Sequence, residues 1–268
     1  MIRRPIDPRR AALLVALSVV ALVVGYTWLS ARQHAINPND TTIPSWTQLA
    51  EGAGRVLEPN LRGERMLVVD MQATFGRLFA GLGIGVVGAL LLGLHMGAFT
   101  SFGWLLTAPV SIAALVPPTA ALAVFFVVFG LELKMYVAMV AFAVLPALAQ
   151  TVHLLVRDWP DELQFKAYTL GATSMEVVWN RMLRSILPQV LDAVRLQIGP
   201  ALVALLAAEM LVADVGFGYQ IRLQQRRLDM SVVYTYLAVL AAFASAMNWG
   251  LRALQRKLCR WYAGAGNP

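Results

Sequence analysis

Residues 167–189 read AYTLGATSMEVVWNRMLRSILPQ, and they sit between two long apolar stretches. Gly171 interrupts the run, and Thr173 or Ser174 can cap a helix through SMEVVWNRML by accepting its free backbone N–H groups. Met175, Val178, Trp179 and Met182 fall at i, i+3, i+4 and i+7, so that helix carries one apolar face. Upstream, Pro160 followed by Asp161 and Glu162 is a helix start. The pattern predicts a helix–Gly–helix elbow, because glycine permits a sharp turn and the close approach of another surface. Pro188 marks the beginning of the next apolar segment. The loop 157–188 is long for a connector. It is either a surface helix that seals a bundle or a lever docked on a partner, and composition alone favours the seal.

The surroundings of the elbow are those of a membrane protein. The chain has 268 residues, of which 59% are hydrophobic and only 14% charged, whereas a soluble domain averages about a quarter charged residues. The formal net charge of +7 is carried by scattered basic residues that flank apolar runs. Lipid headgroups and topology explain that placement better than nucleic acid does. A spanning helix needs roughly twenty apolar residues, and six segments qualify: 11–30, 75–97, 104–129, 134–156, 189–213 and 231–254. The first is longer than a signal-peptide core and lacks a small-x-small cleavage site, so it reads as a retained helix. The third holds Pro109, Pro117 and Pro118 and should break near VPPTA. The fifth carries Pro200. Gly81, Gly85 and Gly88 give the second span a small-residue face suited to close helix contact within the bundle.

Basic residues at both ends (Arg3, Arg4, Arg9 and Arg10; Arg252, Arg256, Lys257 and Arg260) place both termini in the cytoplasm. The elbow loop then lies inside as well, while Arg222, Arg226 and Arg227 run against the pattern. The organisation is a basic end and first span (1–30), an external connection (31–74), a core holding the elbow (75–260) and a tail (261–268). Within 31–74, WTQLAEGAGRVLEPN has helical spacing and suits either the membrane surface or packing on the outer rim. The single Cys259 and the dispersed His34, His95 and His153 offer no metal site, and no catalytic set is present.

Glu209 stands in an apolar helix, where a carboxylate is expensive and faces a bundle interior or cavity. It can be a hydrogen-bonded structural or gating group, a pathway residue or a proton carrier, and the first reading ranks highest. Arg195, near the start of that span, is the better attractor for an anion, although a headgroup or helix-end contact is its commoner use. Asp214 lies near the outer end. Pro117 and Pro118 are either a packing kink or a break lining a pathway.

These residues resemble a known family. The elbow is similar to the coupling region of permeases of binding-protein-dependent ABC importers with the type I fold. Their signature is Glu-Ala-Ala, three residues, Gly and a later Leu-Pro. Ala167, Thr169, Leu170, Gly171 and Ala172 match it, as do Leu187 and Pro188. Phe165, Lys166 and Arg184 depart from it, leaving Glu162 as the nearby acidic residue. Residues 194–221, VRLQIGPALVALLAAEMLVADVGFGYQI, resemble the nitrate, sulfonate and taurine branch. They contain Arg195-Leu196, Ala207-Ala208-Glu209-Met210 and Gly216-Phe217-Gly218-Tyr219.

The resemblance implies an all-α membrane protein, a six-helix transmembrane domain with a cytoplasmic coupling loop, in a bacterial inner membrane. It implies that Glu162, Ala167, Thr169, Leu170, Gly171, Ala172, Glu176, Leu187 and Pro188 serve ATPase coupling. Glu209, Arg195, Pro117, Pro118, Gly216 and Gly218 would serve translocation or gating. The implied partners are an ABC ATPase dimer carrying ATP-Mg, a solute-binding protein and a second permease copy, with a small anion as cargo. This chain itself offers no phosphate-binding Gly-Lys-Ser/Thr, since none of Lys134, Lys166 and Lys257 follows a glycine. The competing readings are a proton-coupled secondary transporter using Glu209 and a membrane scaffold whose elbow recruits a cytoplasmic protein.

Overall fold

The computed structural model describes residues 7–38, 40–59, 63 and 65–262. Arg3, Arg4 and residues 263–268 of the tail lie outside the described residues. The described chain is helical: α1 (Pro8–Ile36), α2 (Trp46–Leu57), α3 (Met66–Ala98), α4 (Thr100–Leu115), α5 (Leu122–Phe129), α6 (Leu133–Arg157), α7 (Asp161–Thr169), the single turn α8 (Ser174–Glu176), α9 (Leu183–Val212), α10 (Phe217–Arg226) and α11 (Met230–Leu258). A π-helical stretch, Val177–Met182, joins α8 to α9, so one helix runs unbroken from Ser174 to Val212. Among the described residues, five helices are long and apolar enough to cross a bilayer. The third expected span is divided into α4 and α5 around the segment holding Pro117 and Pro118, because neither proline can donate to the helix ladder and the ring disfavours helix before it.

The chain forms two compact units: residues 1–66 with 223–237, and residues 67–222 with 238–268. In the first, α1 is apolar between its basic start at Arg9 and Arg10 and its polar end at Arg32, Gln33 and His34, and its most apolar window has no buried residue, the surface of a helix solvated by lipid chains. The Tyr26 hydroxyl donates to the Pro44 carbonyl at 2.6 Å, and its ring meets Trp46 edge-on. The α2 helix opens with a reciprocal Ser45–Gln48 capping box and packs through Gly52 onto Ser231, leaving no room there for a Cβ. The Arg55 guanidinium pairs with Asp229 at 2.7 Å, so the helix expected within 31–74 is a packed one. Partial burial alone would raise the Asp229 carboxyl. Hydrogen bonds from Ser231 and Arg55, with the Arg55 charge, hold it instead below the usual aspartate range.

In the second unit α3 lies against α6 with glycines at the contact. A Cβ on Gly81 would collide with Val140, one on Gly85 would press Ala141, and one on Gly93 would lie 2.6 Å from the Ala149 carbonyl oxygen. The small residues thus allow van der Waals contact along the whole seam, which supplies helix association where lipid removes the hydrophobic drive. Buried Met139, Val140, Val144, Leu148 and Val152 of α6 form the core with Ile198, Ala201 and Leu205 of α9.

Three expectations change. The second span begins at Met66 rather than near 75, because hydropathy does not count a polar first section containing Asp70. Pro188 does not open the fifth span; it is buried inside α9. Ending the helix there would free several backbone groups, whereas a proline within it frees one carbonyl, and neighbours in a bundle tolerate that. Arg195 accordingly sits well within α9 rather than near its start.

Candidate functional site

The second unit holds a buried polar cluster built on the first section of α3, the end of α9 and the turn after α9. Asp70, Thr74 and Arg77 stand at i, i+4 and i+7 on one face of α3. Glu209, fully buried near the end of α9, faces them. The Thr74 hydroxyl donates to the Glu209 carboxylate, 3.0 Å from each oxygen. Arg77 Nη1 donates to Glu209 Oε1 at 2.8 Å and to the Val215 carbonyl at 2.8 Å. The guanidinium carbon lies 4.1 Å from the Tyr136 ring centroid, a cation–π contact strengthened by desolvation. The turn completes the cluster. Gly218 N–H donates to Glu209 Oε2 at 3.0 Å, Gly216 N–H to Asp70 at 2.9 Å, and Phe217 N–H to the Thr74 hydroxyl at 2.9 Å.

Both glycines of this turn are required by geometry. Gly216 has φ +127°, and a Cβ there would lie 2.7 Å from Glu209 Oε1; one on Gly218 would lie 2.5 Å from the Leu206 carbonyl oxygen. Glu209 therefore holds the Gly216–Gly218 turn against α9, and α3 holds both. The cluster clamps a turn, and the carboxylate's buried charge is matched by Arg77.

The elbow is the second locus. The α7 helix starts at Asp161 after Pro160, with Asp161 and Glu162 in its first turn where the helix dipole favours carboxylates. It ends before Gly171, whose φ of +83° suits a residue without a Cβ. Thr173 and Glu176 then form a capping box, with Thr173 N–H donating to Glu176 Oε2 at 2.9 Å. The expected elbow is present, but its second arm is no separate surface helix, because it is the first section of the helix that becomes α9. The π-helical register also alters its face. Val178, Met182, Ile186 and Val190 are buried at four-residue spacing, while Met175 and Trp179 are exposed. Ala167 and Ala172 pack on the core. Glu162, Thr169 and Leu170 are exposed, Leu170 being 78% accessible, and a Cβ at Gly171 would meet nothing within 4 Å among the described residues.

Residues 84–260 match the family described as binding-protein-dependent transport system inner membrane component. The chain belongs to this family, as the permease of a type I ABC importer. The permease is 27% identical over 250 residues to the taurine transport system permease protein TauC of Escherichia coli (strain K12), covering 92% of this chain and 90% of that one. It is 23% identical to the formylaminopyrimidine transport permease protein ThiX of Halalkalibacterium halodurans, covering 74% of this chain and 79% of that one. Among solved structures, the MetNI methionine ABC transporter in an inward-facing conformation superposes with a TM-score of 0.64 at 19% identity, covering 72% of this chain and 96% of that one. That likeness concerns the fold. Members of the family are transport subunits, not enzymes.

The candidate residues of the permease fall into separate places. Glu209, Gly216 and Gly218 meet in the buried cluster. Arg195 lies elsewhere on α9, donating from Nη1 to Asp192 at 2.6 Å and from Nε to Asn248 at 2.8 Å. Its charge is thus largely matched within the chain. Pro117 and Pro118 mark the α4–α5 break, and Glu162 through Glu176 build the elbow. Leu187 is half-buried and Pro188 buried on α9, and the Pro188 carbonyl accepts from Gln255 Nε2 at 2.8 Å. The sequence reading omitted Asp70, Thr74, Arg77 and Tyr136. The helical spacing of two charged residues and a threonine at the start of an apolar run could have revealed the first three.

Proposed function

We propose that this permease forms the translocation path for a small sulfonate-like anion, powered by a separate ABC ATPase dimer that binds ATP-Mg. A second copy of the chain completes the path, and a solute-binding protein delivers cargo to the face opposite the elbow, both termini being cytoplasmic. The cargo reading is supported by the likeness to a taurine permease over nearly the whole chain.

The observation that carries the coupling reading is the form of the elbow. Its tip presents Leu170, Phe165 and Thr169 to solvent, while Ala167 and Ala172 fix its base in the core. A tip apolar, exposed and anchored in this way suits insertion into a groove on a partner. The helix from Ser174 to Val212 then spans nearly 60 Å at 1.5 Å per residue. It joins the elbow directly to the Glu209 clamp. Closure of the ATPase dimer would move the elbow, and this helix would carry the movement to the Gly216–Gly218 turn, a hinge between two arrangements. In this reading Glu209 gates the path. Arg77, Thr74 and Gly218 occupy its carboxylate, which weighs against proton carriage by that group.

Capture of the tagged permease from its native membrane tests the proposal, with ATPase activity assayed in the eluate. Aspartate tolerates positive φ better than most residues, and a Cβ at Gly171 meets nothing among the described residues. Gly171→Asp should therefore leave the permease folded and abolish ATPase capture. Capture unaffected by the variant would remove the elbow from the docking site. Absence of ATPase from the native eluate would remove the coupling reading. Uptake of taurine against nitrate by the reconstituted complex tests the cargo.

A further inference from the structure

We infer that the hollow inside the elbow is a binding site for the headgroup of an anionic phospholipid. The hollow has a volume of about 1050 Å³ and is walled by α7, the start of the Ser174–Val212 helix and Trp261 beyond α11. Among the described residues its cations are Lys166, Arg181 and Arg184, and its one carboxylate is Glu176. That carboxylate already accepts the Thr173 N–H and hydroxyl. Lys166, Arg181 and Arg184 form no ion pair among the described residues, unlike Arg55, Arg77 and Arg195. Counted over the described residues, three cations against one engaged carboxylate leave the hollow two charges positive.

Its position selects the ligand. Trp159 follows the end of α6 and Trp261 follows the end of α11, both helices that can cross the bilayer. Arg181 and Arg184 stand just before the apolar part of α9. The hollow therefore lies where three spans leave the hydrocarbon. Tryptophan favours the headgroup level of a bilayer, and basic pockets between spanning helices at this depth suit anionic headgroups. A phosphodiester would meet guanidinium donors there, while its acyl chains continue along the apolar helix surfaces. This inference rests on the chain spanning a membrane, which its family establishes, and not on the ATPase reading.

The test uses the full chain in mild detergent, with native mass spectrometry counting retained phosphatidylglycerol against phosphatidylcholine of the same acyl chains. Phosphatidylglycerol should be preferred. Arg181→Gln with Arg184→Gln should lower its apparent affinity roughly 25-fold, from about 1 kcal/mol per juxtamembrane cation, and leave phosphatidylcholine unchanged. Lys166→Gln alone should give a smaller loss, so the result does not depend on the double variant folding. Arg252→Gln with Arg256→Gln, outside the hollow, should have little effect. Equal retention of the two lipids, or indifference to the three cations, would overturn the inference. Displacement of the lipid by millimolar inorganic phosphate would make this a free-anion site instead. Loss of ATPase capture with lipid retention intact would assign the cations to an acidic partner surface, and that also overturns it.

Discussion

Removing the Glu209 carboxylate should release the Gly216–Gly218 turn, and the size of the effect follows from what it leaves behind. In Glu209→Ala, Arg77 keeps the Val215 carbonyl and the Tyr136 ring but loses the carboxylate it pairs with. Its side chain is 16% accessible, and breaking a buried pair in this way costs about 3–5 kcal/mol. The Gly218 N–H also loses its acceptor, worth roughly 1–3 kcal/mol when buried. Taking about 4 kcal/mol for the combined loss, partial relaxation included, amide exchange at Gly216, Phe217 and Gly218 should accelerate about 1000-fold if the turn opens locally. Glu209→Gln should lie between wild type and Ala, since its amide NH₂ must oppose either Arg77 or Gly218. The double variant Glu209→Leu with Arg77→Leu should recover part of the protection, because it leaves no unpaired charge. The assay is hydrogen–deuterium exchange with mass spectrometry on the reconstituted chain, following peptides over 210–222. Exchange in Glu209→Ala within threefold of wild type would refute the clamp. So would a double variant whose loss equals the sum of the two single losses, because coupled residues deviate from additivity.

Other parts of the fold carry sharper local tests. Gly93→Leu should separate α3 from α6, because even a Cβ would lie 2.6 Å from the Ala149 carbonyl oxygen; the folded yield in detergent should collapse, while Gly83→Leu, with nothing within 4 Å, should be tolerated. Thr173→Ala removes one half of the α8 capping box and should cost about 1 kcal/mol, read as roughly fivefold faster exchange in the first turn after Gly171. Stability of the α2 region should depend on pH through Asp229. Its carboxyl lies below the usual value near 3.8 in the folded chain, so its contribution is complete above that value and is lost as pH falls through the lower folded value. Exchange over 46–57 should therefore be flat from pH 5 to 8 after correction for intrinsic rates. It should rise in wild type at more acid pH and lose that acid dependence in Asp229→Asn. The effect should stay under about 1 kcal/mol, because Arg55 is half exposed.

Features that act through neighbouring residues were readable before the fold was known. The break at Pro117–Pro118, the start of α7 after Pro160, the turn at Gly171 and the cap at Thr173 all depend on a proline ring, a missing Cβ or a hydroxyl within three residues. The glycine face of the second span was equally plain, since Gly81, Gly85 and Gly88 meet α6 as their spacing implied. The α2 helix was legible too, but whether it packed on protein or lay on lipid was not, because Ser231 and Asp229 are nearly 180 residues away in the chain.

The clamp was hidden for a different reason. Hydropathy finds a span by the absence of charge, and the residues that hold Glu209 are the charged ones at the start of α3. Asp70 looks like a residue outside the bilayer when read alone, so hydropathy places the start of the second span nearer 75 and leaves Arg77 a lone charge just inside it. Their meaning emerges only when Glu209, more than 130 positions later, needs a counter-charge and the Gly216–Gly218 turn needs acceptors. The same logic accounts for Pro188. A proline before an apolar run signals a boundary in water, where a helix end can be solvated. At the edge of a bilayer, continuing the helix is cheaper than ending it, so the second arm of the elbow and the span become one helix. Local chemistry therefore located the two ends of this helix separately, and the cost of exposing backbone in lipid is what joins them.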